Sequence, residues 1–568
     1  MENKKRIAIL GGGPSGLFMY KRLVDAGGGD LIVDIFERKK SLGPGMPYSA
    51  EGANDEHITN VSGNEIPELV TPIAEWIQTV PGETLERFHL DPGKFNDYKV
   101  LPRLLFGQYL SAQFDLLQQK AAKAGMATNI HFSSCVTDIT DHPELGIVTI
   151  EAGGKDRFEY DHVIICTGHN WPVSYEGTVP GYYDSPYPPA KLKIRVNHPV
   201  AIKGSSLTAI DAIRTLARHN GTFSTDTGGK LSYQLADESN GFKLLMHSRN
   251  GMLPAIRFHL EDSHLMKDAV LSEEEVNSNR AKNNGFLSLD YVFEKNFKEM
   301  FQEKDPEFYS QIKDMDIETF VASMMDLRER VPAFQLFKAE YIEAARSIRR
   351  KESVYWKEML GVLSFAMNYP AKYLSAEDMQ RLQKVLMPLI SIVIAFVPQS
   401  SVEEMLALYD AGVLDIISVG DNSRIEVDGK EGIIYQYTDE EGNAQSEHFK
   451  TFVDCVGQPH MSFNELPYES LRLRKTVTPA RLMFNDSSIG AEEMEKGNDD
   501  VKTDGKDHYY LKVPGITIND SFQAIDENNV PNERVYIMAV PYIGGYNPDY
   551  SGLDFCEAAS AAIVKSIL

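Results

Sequence analysis

The chain has 568 residues, 42% of them hydrophobic, which is more than a single core needs, so we expect two or three domains. Its 82 acidic and 57 basic residues give a formal net charge of −25, which disfavours nucleic acid or an anionic membrane surface as the main partner and leaves a small molecule. Four widely spaced cysteines without a CxxC pair indicate no disulfide framework, zinc knuckle or dithiol centre, and they fit the reducing cytoplasm.

Two apolar stretches are too short for targeting or for membrane insertion. Residues 7–10 are shorter than the core of a signal peptide and run directly into glycines, so we expect no export signal. Residues 385–397, VLMPLISIVIAFV, fall short of the roughly 20 apolar residues of a membrane span and include Pro388. We predict a buried helix there, or a helix and a strand.

The first predicted element is a buried strand over residues 6–10, followed by glycines at the spacing G-x-G-x-x-G and by a helix. In this pattern Gly11 permits the tight turn, Gly13 lets the backbone approach a pyrophosphate, and Gly16 lets helix and strand pack closely. A second apolar run ends in Glu37, whose carboxylate can accept hydrogen bonds from both hydroxyls of an adenosine ribose. The order of these elements predicts a dinucleotide site.

The same plan is predicted a second time. Residues 148–168 have the pattern of a hairpin followed by a buried strand ending in Cys-Thr-Gly, and residues 425–457 repeat it with Cys-Val-Gly. Upstream of the second hairpin, VAIKGSSLTAIDAIRTLARHNG predicts a strand, a turn and a helix, with Gly204, Ser206 and Ala209 at the three glycine positions. The repeat predicts a second dinucleotide site.

The strand predicted within residues 242–254 carries Ser248 and Arg249 where the first site has its acid. Arginine cannot accept a hydrogen bond from a ribose hydroxyl, but it can hold a 2′-phosphate. The alternative is a surface arginine near a turn. Hydroxyls of Ser205 and Thr208 add phosphate donors. We predict FAD at the first site and NADP(H) at the second.

Several segments, arriving in one order, together resemble a known family. They are GGGPSG (11–16), GPGMPYS (43–49), HITNVSG (57–63), LPRLLFGQYL (101–110), ICTGHNWP (165–172), SLTAIDA (206–212) and SRNGMLP (248–254). Together they are similar to the FAD/NAD(P)-binding proteins related to the flavin-dependent monooxygenases. The resemblance covers about the first 260 residues and about the last 150.

The resemblance implies contacts with the cofactors. It places Met46, Pro47, Tyr48 and Asn60 near the flavin, Arg103 and Gln108 on the cofactor, Thr167 and Gly168 where the chain returns past it, and Ser551, Gly552 and Leu553 at the start of a closing helix. With the motif residues, the predicted cofactor set is Gly11, Gly13, Pro14, Ser15, Gly16, Glu37, Arg38, Met46, Pro47, Tyr48, Asn60, Arg103, Gln108, Val136, Thr167, Gly168, Gly204, Ser205, Ser206, Leu207, Thr208, Ser248, Arg249, Gly457, Ser551, Gly552 and Leu553. The acid/base candidates are His57, Tyr48 and His169, although a histidine beside a cofactor is more often a structural hydrogen-bonding group.

The predicted fold is α/β, with two Rossmann-like dinucleotide-binding domains for FAD and NADP and a helical insertion in the second. The predicted boundaries are 1–190 and 459–568 for the FAD domain, 191–262 and 407–458 for the NADP domain, and 263–406 for the insertion. Apolar stripes at helical spacing in the insertion are typical of a core, while its place beside a flavin equally favours a lid or substrate cap. The acidic run over residues 490–508 predicts a solvated, mobile loop.

Three functional hypotheses follow. The resemblance favours an NADPH-dependent monooxygenase that reduces FAD and passes one atom of molecular oxygen to a small-molecule substrate. The alternative is an NAD(P)H-dependent reductase or oxidase that passes electrons to a quinone, a partner protein or oxygen. A flavin-binding sensor without turnover is the third. The absence of a CxxC pair disfavours a disulfide reductase.

Overall fold

A computed structural model describes residues 4–27, 29–154, 156–168, 171–261, 270–427, 431–458, 460–505, 508–548 and 552–568. The strands of this part of the chain are β1 Lys5–Leu10, β2 Leu31–Glu37, β3 Ile58–Ser62, β4 Val100–Pro102, β5 Ala127–Phe132, β6 Val136–His142, β7 Ile147–Ala152, β8 Asp156–Tyr160, β9 His162–Ile165, β10 Tyr182–Tyr183, β11 Pro199–Lys203, β12 Gly221–Thr225, β13 Leu231–Leu235, β14 Lys243–Ser248, β15 Leu414–Ser418, β16 Arg424–Glu426, β17 Ile433–Thr438, β18 Ala444–Phe449, β19 Thr451–Asp454, β20 Pro479–Met483, β21 Val501–Thr503, β22 Tyr509–Ile516, β23 Gln523–Ile525 and β24 Pro531–Ile537.

The α-helices fall mainly between the two halves of the second sheet. They are α1 Pro14–Ala26, α2 Ile73–Trp76, α3 Gly82–Arg87, α4 Arg103–Lys123, α5 Leu207–Asn220, α6 Glu273–Lys282, α7 Leu289–Asn296, α8 Phe301–Lys304, α9 Pro306–Ile312, α10 Ile317–Arg330, α11 Ala333–Arg350, α12 Tyr355–Met367, α13 Ala376–Arg381, α14 Met387–Val393, α15 Gln399–Asp410, α16 Glu469–Leu473, α17 Ser487–Glu495 and α18 Gly552–Ile567. A π-helical segment, Leu382–Leu386, joins α13 to α14.

The first sheet has the order β23-β24-β9-β1-β2-β5, and all of its neighbours are parallel except β23 and β24. Strand β1 is central, and Ile7, Ala8 and Ile9 are fully buried, as expected for a parallel strand covered on both faces. Helix α1 begins with Pro14, whose fixed φ suits the first helical position. The C-terminal strand β24 thus completes a sheet begun at the N-terminus.

The second sheet has the order β10-β19-β11-β14-β15, and all of its pairs are parallel. Two antiparallel three-stranded sheets, β6-β7-β8 and β16-β17-β18, precede β9 and β19 respectively. The predicted repeat is therefore present in three dimensions, and the predicted α/β class with two parallel sheets is confirmed. The domain boundaries stay predictions.

We call residues 273–396 the helical region. Its base is held by backbone pairing between the chain that enters it and the chain that leaves it: Ala255 N–H donates to Ile392 O at 2.9 Å, and Val397 N–H donates to Ala255 O at 3.0 Å. On its other side, Lys372 Nζ lies 2.7 Å from Asp520 Oδ1, just before β23. The helical region is thus attached to both sheets.

The acidic run over residues 490–508 is not the predicted loop in its described part. It contains most of α17 and all of β21. Gly490 packs so closely on the Tyr509 side chain that a Cβ would clash, and Val501 is fully buried. The segment is mostly polar, which favours solvation. It is nevertheless ordered, because its few apolar groups are buried against β22.

Among the described residues, no helix is both long and apolar enough to cross a bilayer. The stretch that most resembles a span, residues 385–397, is split between the end of the π-helical segment, α14 and a single parallel bridge from Val397 to Ile256. The predicted buried helix is therefore present, whereas the alternative of a helix and a strand is reduced to the isolated bridge at Val397.

A buried histidine in the second sheet predicts acid sensitivity. His247 is 2% exposed and stacks on Tyr435 with ring centroids 4.2 Å apart, and its burial lowers its pKa to about 4. The unfolded chain takes up this proton near the ordinary pKa of about 6.5, so the free energy of unfolding should fall as the pH drops from 6.5 to 4. Between these two pH values, we expect the free energy of unfolding of His247→Phe to fall by about 3 kcal/mol less than that of the wild type.

Urea denaturation at several pH values between 4 and 7 measures the effect. His448→Phe is the matched control, because His448 is exposed on β18. The interpretation is wrong if the two variants show the same dependence of unfolding free energy on pH.

Candidate active site

The first βα turn has room for an anion at its backbone. Gly11 follows β1 with φ +110°, and a Cβ there would lie 2.7 Å from the Cys166 carbonyl oxygen, so only glycine fits. At Gly13 a Cβ would lie 3.2 Å from Gly45 Cα, so a side chain there would crowd the neighbouring backbone. Gly16 packs on the Gly11 carbonyl oxygen. The contacts of Gly11 and Gly16 agree with the tight turn and the close packing that the spacing predicts, and the pyrophosphate role of Gly13 stays a prediction.

The acid at the end of β2 is oriented by the turn. Glu37 Oε2 accepts a hydrogen bond from Gly12 N–H at 2.7 Å, and Glu37 Oε1 accepts one from Lys39 N–H at 2.8 Å. A carboxylate offers about four acceptor sites, so two remain for ribose hydroxyls. The two backbone hydrogen bonds therefore hold the Glu37 carboxylate beside the turn and leave acceptor sites for a ligand.

The second βα turn repeats the first in detail. Gly204 has φ +107°, and a Cβ there would lie 2.9 Å from the Cys455 carbonyl oxygen, just as Gly11 faces Cys166. Ser206 is the N-cap of α5, and its side chain makes no capping hydrogen bond. The hydroxyl of Ser205 donates to Met252 O at 2.7 Å, so it is already engaged. Phosphate binding here would depend on backbone N–H groups and on Ser206.

Arg249 follows β14 at the edge of the second site. Its side chain is 78% exposed and pairs with Asp421, which is 3.8 Å away and 86% exposed. A pair this exposed contributes little to stability, so the guanidinium is available to an incoming phosphate.

We expect Arg249→Ala to raise the Kd for NADPH and to leave that for NADH nearly unchanged. A lost charge-assisted hydrogen bond costs about 1.5–3 kcal/mol, or roughly ten- to a hundredfold in affinity. Asp421→Asn, which removes the competing carboxylate, should instead tighten NADPH binding. Equal effects of Arg249→Ala on both nucleotides, measured by titration calorimetry, would make Arg249 a structural residue.

One large cavity of about 860 Å³ adjoins the first turn, within the size range of ligand sites. It brings together many of the predicted residues, namely Gly11, Gly13, Pro14, Ser15, Glu37, Arg38, Met46, Pro47, Tyr48, Asn60, Val136, Thr167, Gly168, Ser206, Leu207, Gly552 and Leu553. The contribution of Ser206 and Leu207 shows that the start of α5 in the second sheet reaches the same cavity.

The cavity has polar groups that suit a dinucleotide. The buried Thr167 hydroxyl borders the cavity and interacts with the Tyr468 hydroxyl. A hydroxyl has one donor and two acceptor sites, so Thr167 keeps capacity for a ligand. Together with the open backbone at Gly13 and the two remaining acceptor sites of Glu37, it fits an FAD molecule along this wall.

Other predicted residues do not line the cavity. These are Gly16, His57, Arg103, Gln108, Gly204, Ser205, Thr208, Ser248, Arg249 and Gly457. His169 and Ser551 lie outside the described residues. The cofactor roles of all these residues stay predictions.

His57 and Arg103 belong to a buried polar network between the two sheets. Arg103 Nη1 donates to Asp211 Oδ2 at 2.5 Å, and Tyr187 OH donates to the same oxygen at 2.7 Å. His57 Nδ1 accepts from Asn54 N–H at 2.8 Å, so its proton lies on Nε2, 3.2 Å from the Asp211 carbonyl oxygen. Burial lowers the pKa of His57 and keeps it neutral. This placement favours a structural role at the interface.

Tyr48 does line the cavity, in edge-to-face contact with Phe106 at 4.8 Å. Burial raises its pKa to about 12. The phenol is therefore protonated at neutral pH, where it can donate a hydrogen bond but does not serve as a base.

The sequence predicted a possible lid or cap in the helical insertion, but it identified none of the residues by which the helical region borders the cavity. Its residues are Gly361, Met387, Ser391, Ile394, Ala395 and Phe396. Their approach to the first turn depends on packing between segments more than 200 residues apart, which leaves no local spacing signal. A second missed group, from the C-terminal half, comprises Pro467, Tyr468, Val540, Pro541, Tyr542, Pro548, Asp554 and Cys556.

Comparison with known proteins agrees with this site. Residues 8–170 match the family model described as FAD-NAD(P)-binding, and residues 272–394 match the model of the YdhS-like middle domain. Trimethylamine monooxygenase of Roseovarius sp. (strain 217) is 31% identical over 178 residues, which are 29% of this chain and 36% of that protein. The predicted resemblance to FAD/NAD(P)-binding proteins related to the flavin monooxygenases is thus confirmed as a similarity, which lies in the part of the chain that contains the first βα turn.

Over its full length the chain is similar to YdhS of Escherichia coli (strain K12), with 26% identity across 99% of this chain and 98% of that protein. Among solved structures, the ornithine N-hydroxylase of Kutzneria sp. 744 is 13% identical, with a TM-score of 0.44 over 99% of both chains. A cadaverine monooxygenase from Erwinia amylovora is 11% identical, with a TM-score of 0.47 over 99% of this chain and 94% of that one. These structural similarities are too distant to inform the reaction.

Proposed function

We propose that the chain is a monooxygenase that holds FAD, is reduced by NADPH, and inserts one atom of molecular oxygen into a small-molecule substrate. The observation that carries the proposal is the composition of the cavity. The same space is bordered by the first βα turn, by the start of α5 from the second sheet, and by the helical region. The proposal is supported because a turn suited to flavin, a turn suited to a second nucleotide and a helical cover border one cavity.

Bound FAD would accept a hydride from NADPH and, once reduced, activate oxygen. The protein would bind the two nucleotides and orient them. The open backbone at Gly11 and Gly13 and the N-terminus of α1 would hold the pyrophosphate, and Glu37 the ribose. The start of α5 would bring the nicotinamide nucleotide to the same cavity through Ser206 and Leu207.

The helical region would exclude water from the reaction. Its side chains at the cavity are mostly apolar, with Met387, Ile394 and Phe396 as the large members. Its base is fixed by the backbone pairing of residues 255–257 with residues 392–397. An apolar cover of this kind prevents loss of the activated oxygen as hydrogen peroxide, because water and protons reach the flavin less readily. This supports a lid or cap in preference to a mere packing element.

The two buried thiols of the cavity do not support a disulfide reductase. Three free cysteines line the cavity, of which Cys166 and Cys556 are buried and Cys135 is exposed. Burial raises the pKa of Cys166 well above its usual value and that of Cys556 to about 12. The two groups are therefore thiols at neutral pH, and a thiol is a poor nucleophile.

Isotope-labelled oxygen tests the proposal. The FAD-loaded protein is given NADPH, ¹⁸O₂ and a panel of amines, sulfides and ketones, with NADPH oxidation and product mass followed together. The expected balance is substrate + O₂ + NADPH + H⁺ → oxygenated substrate + NADP⁺ + H₂O. Quantitative hydrogen peroxide or quinone reduction with every compound would make the chain an oxidase or reductase. A flavin that NADPH fails to reduce would support a sensor.

A further inference from the structure

The charged side chains of the cavity come from segments outside the helical region. They are Glu37, Arg38, Lys39, Glu65 and Asp554, from the first-sheet part of the chain and the first turn of α18. Arg38 and Lys39 each pair with Glu51, at 3.5 and 2.7 Å. Glu65 is ion-paired with Arg257. The six residues that the helical region contributes carry no charge.

A second group of cavity residues, from the C-terminal half, also carries no charge. It comprises Pro467, Tyr468, Val540, Pro541 and Tyr542. Burial raises the pKa of Tyr468 above its usual value, and it does the same for Tyr542, so both phenols are neutral. This group and the helical region together offer a ligand apolar groups, phenols and the hydroxyl of Ser391.

Phe396 is held at this wall in an unusual conformation. Its φ is +48°, in the left-handed region that non-glycine residues seldom adopt. The ring is 4% exposed and meets Phe258 edge to face at 5.4 Å, while the next residue is fixed by Val397 N–H donating to Ala255 O. Such backbone strain clusters at ligand sites, where the surrounding structure imposes it.

We infer that the helical-region wall selects an uncharged, apolar substrate, which lacks a carboxylate or an ammonium group. This rests on the proposed function. A charged substrate would lose its hydration against this wall without finding a partner, which strongly disfavours binding. For a thioether the step balances as R₂S + O₂ + NADPH + H⁺ → R₂SO + NADP⁺ + H₂O: a sulfur lone pair forms the S–O bond, the O–O bond breaks, and the other oxygen leaves as water.

Three probes of one shape test the inference by binding. They are thioanisole, para-methylthiobenzoate and para-methylthiobenzylammonium, titrated into the FAD-loaded protein by calorimetry without NADPH. We expect thioanisole to bind at least tenfold more tightly than either ion. Equal binding of an ion and thioanisole, or failure of thioanisole to bind, would overturn the inference.

A charge placed on the wall provides the second test. Ser391 is exposed on α14 and borders the cavity, so Ser391→Asp should fold normally. We expect it to weaken thioanisole binding about tenfold and to strengthen binding of the ammonium probe. Gln383→Asp is the matched control, because Gln383 is exposed in the adjoining π-helical segment and does not line the cavity. The inference is wrong if both variants behave alike.

Different results would contradict the inference about the substrate and the proposed monooxygenase activity. If thioanisole binds selectively, and Ser391→Asp reverses the preference, the inference about the wall holds whatever the chemistry. If the bound thioether then gains no ¹⁸O while NADPH is consumed, the proposed monooxygenase activity fails and the binding result stands.

Discussion

Substitution of Gly13 by valine is expected to remove most of the bound FAD. The glycine lies just before α1, and its Cβ position, 3.2 Å from Gly45 Cα, borders the cavity. A branched side chain there occupies the space through which a pyrophosphate approaches the backbone. Overpacking of this kind costs about 1–3 kcal/mol, which is roughly five- to 150-fold in affinity. Equilibrium dialysis of FAD against the apoprotein measures the loss.

Gly82→Val is the control for Gly13→Val. A Cβ at Gly82, the first residue of α3, meets nothing within 4 Å. This variant should bind FAD as the wild type does, and circular dichroism should show both variants folded. Normal FAD affinity in folded Gly13→Val would mean that the pyrophosphate lies elsewhere.

Removal of the Arg257 guanidinium is expected to destabilise the protein strongly. Arg257 is 5% exposed, donates to Ser62 Oγ at 2.6 Å and to the Asn60 carbonyl oxygen, and is ion-paired with Glu65. Its own backbone N–H donates to Val397 O at 2.9 Å. It therefore connects the cavity wall of the first sheet with the base of the helical region. Breaking a buried pair costs about 3–5 kcal/mol, because the other charge is left buried without compensation.

Urea denaturation of Arg257→Ala measures this cost. Arg87→Ala is the matched control, because Arg87 pairs with Asp55 at 2.6 Å while both side chains are about half exposed. Exposed pairs contribute roughly 0–1 kcal/mol, so Arg87→Ala should be nearly neutral. Similar effects of the two substitutions would contradict the burial of the Arg257 pair.

Both βα turns could be predicted from the sequence, because a few consecutive residues determine the backbone there. The turns at Gly11 and Gly204 could be predicted from glycine spacing, since a positive φ and a close carbonyl leave no room for a side chain. Glu37 and Arg249 could be placed because one ends and the other follows a buried strand, and the ends of parallel strands meet at one edge of a sheet. Local sequence thus determined the two glycine turns and the α/β class.

The contacts of a side chain could not be predicted from local sequence where its neighbours come from distant segments. His57 and Arg103 occur in segments that resemble a cofactor site, yet they form a buried network with Asp211 of α5. Residues 490–508 have the composition of a loop, yet α17 and β21 form there against β22. In each case a partner distant in the chain supplies the hydrogen bonds or the apolar surface, and composition carries no information about that partner.

The tertiary structure alone decided what closes the cavity. Residues 385–397 could be predicted to be buried, but only packing places Met387, Ile394 and Phe396 opposite a turn near residue 13. The backbone pairing that holds them joins residues 255–257 to residues 392–397 across the whole helical region. Side-chain periodicity shows which face of an element is apolar, whereas the identity of the surface that covers it depends on contacts between distant segments.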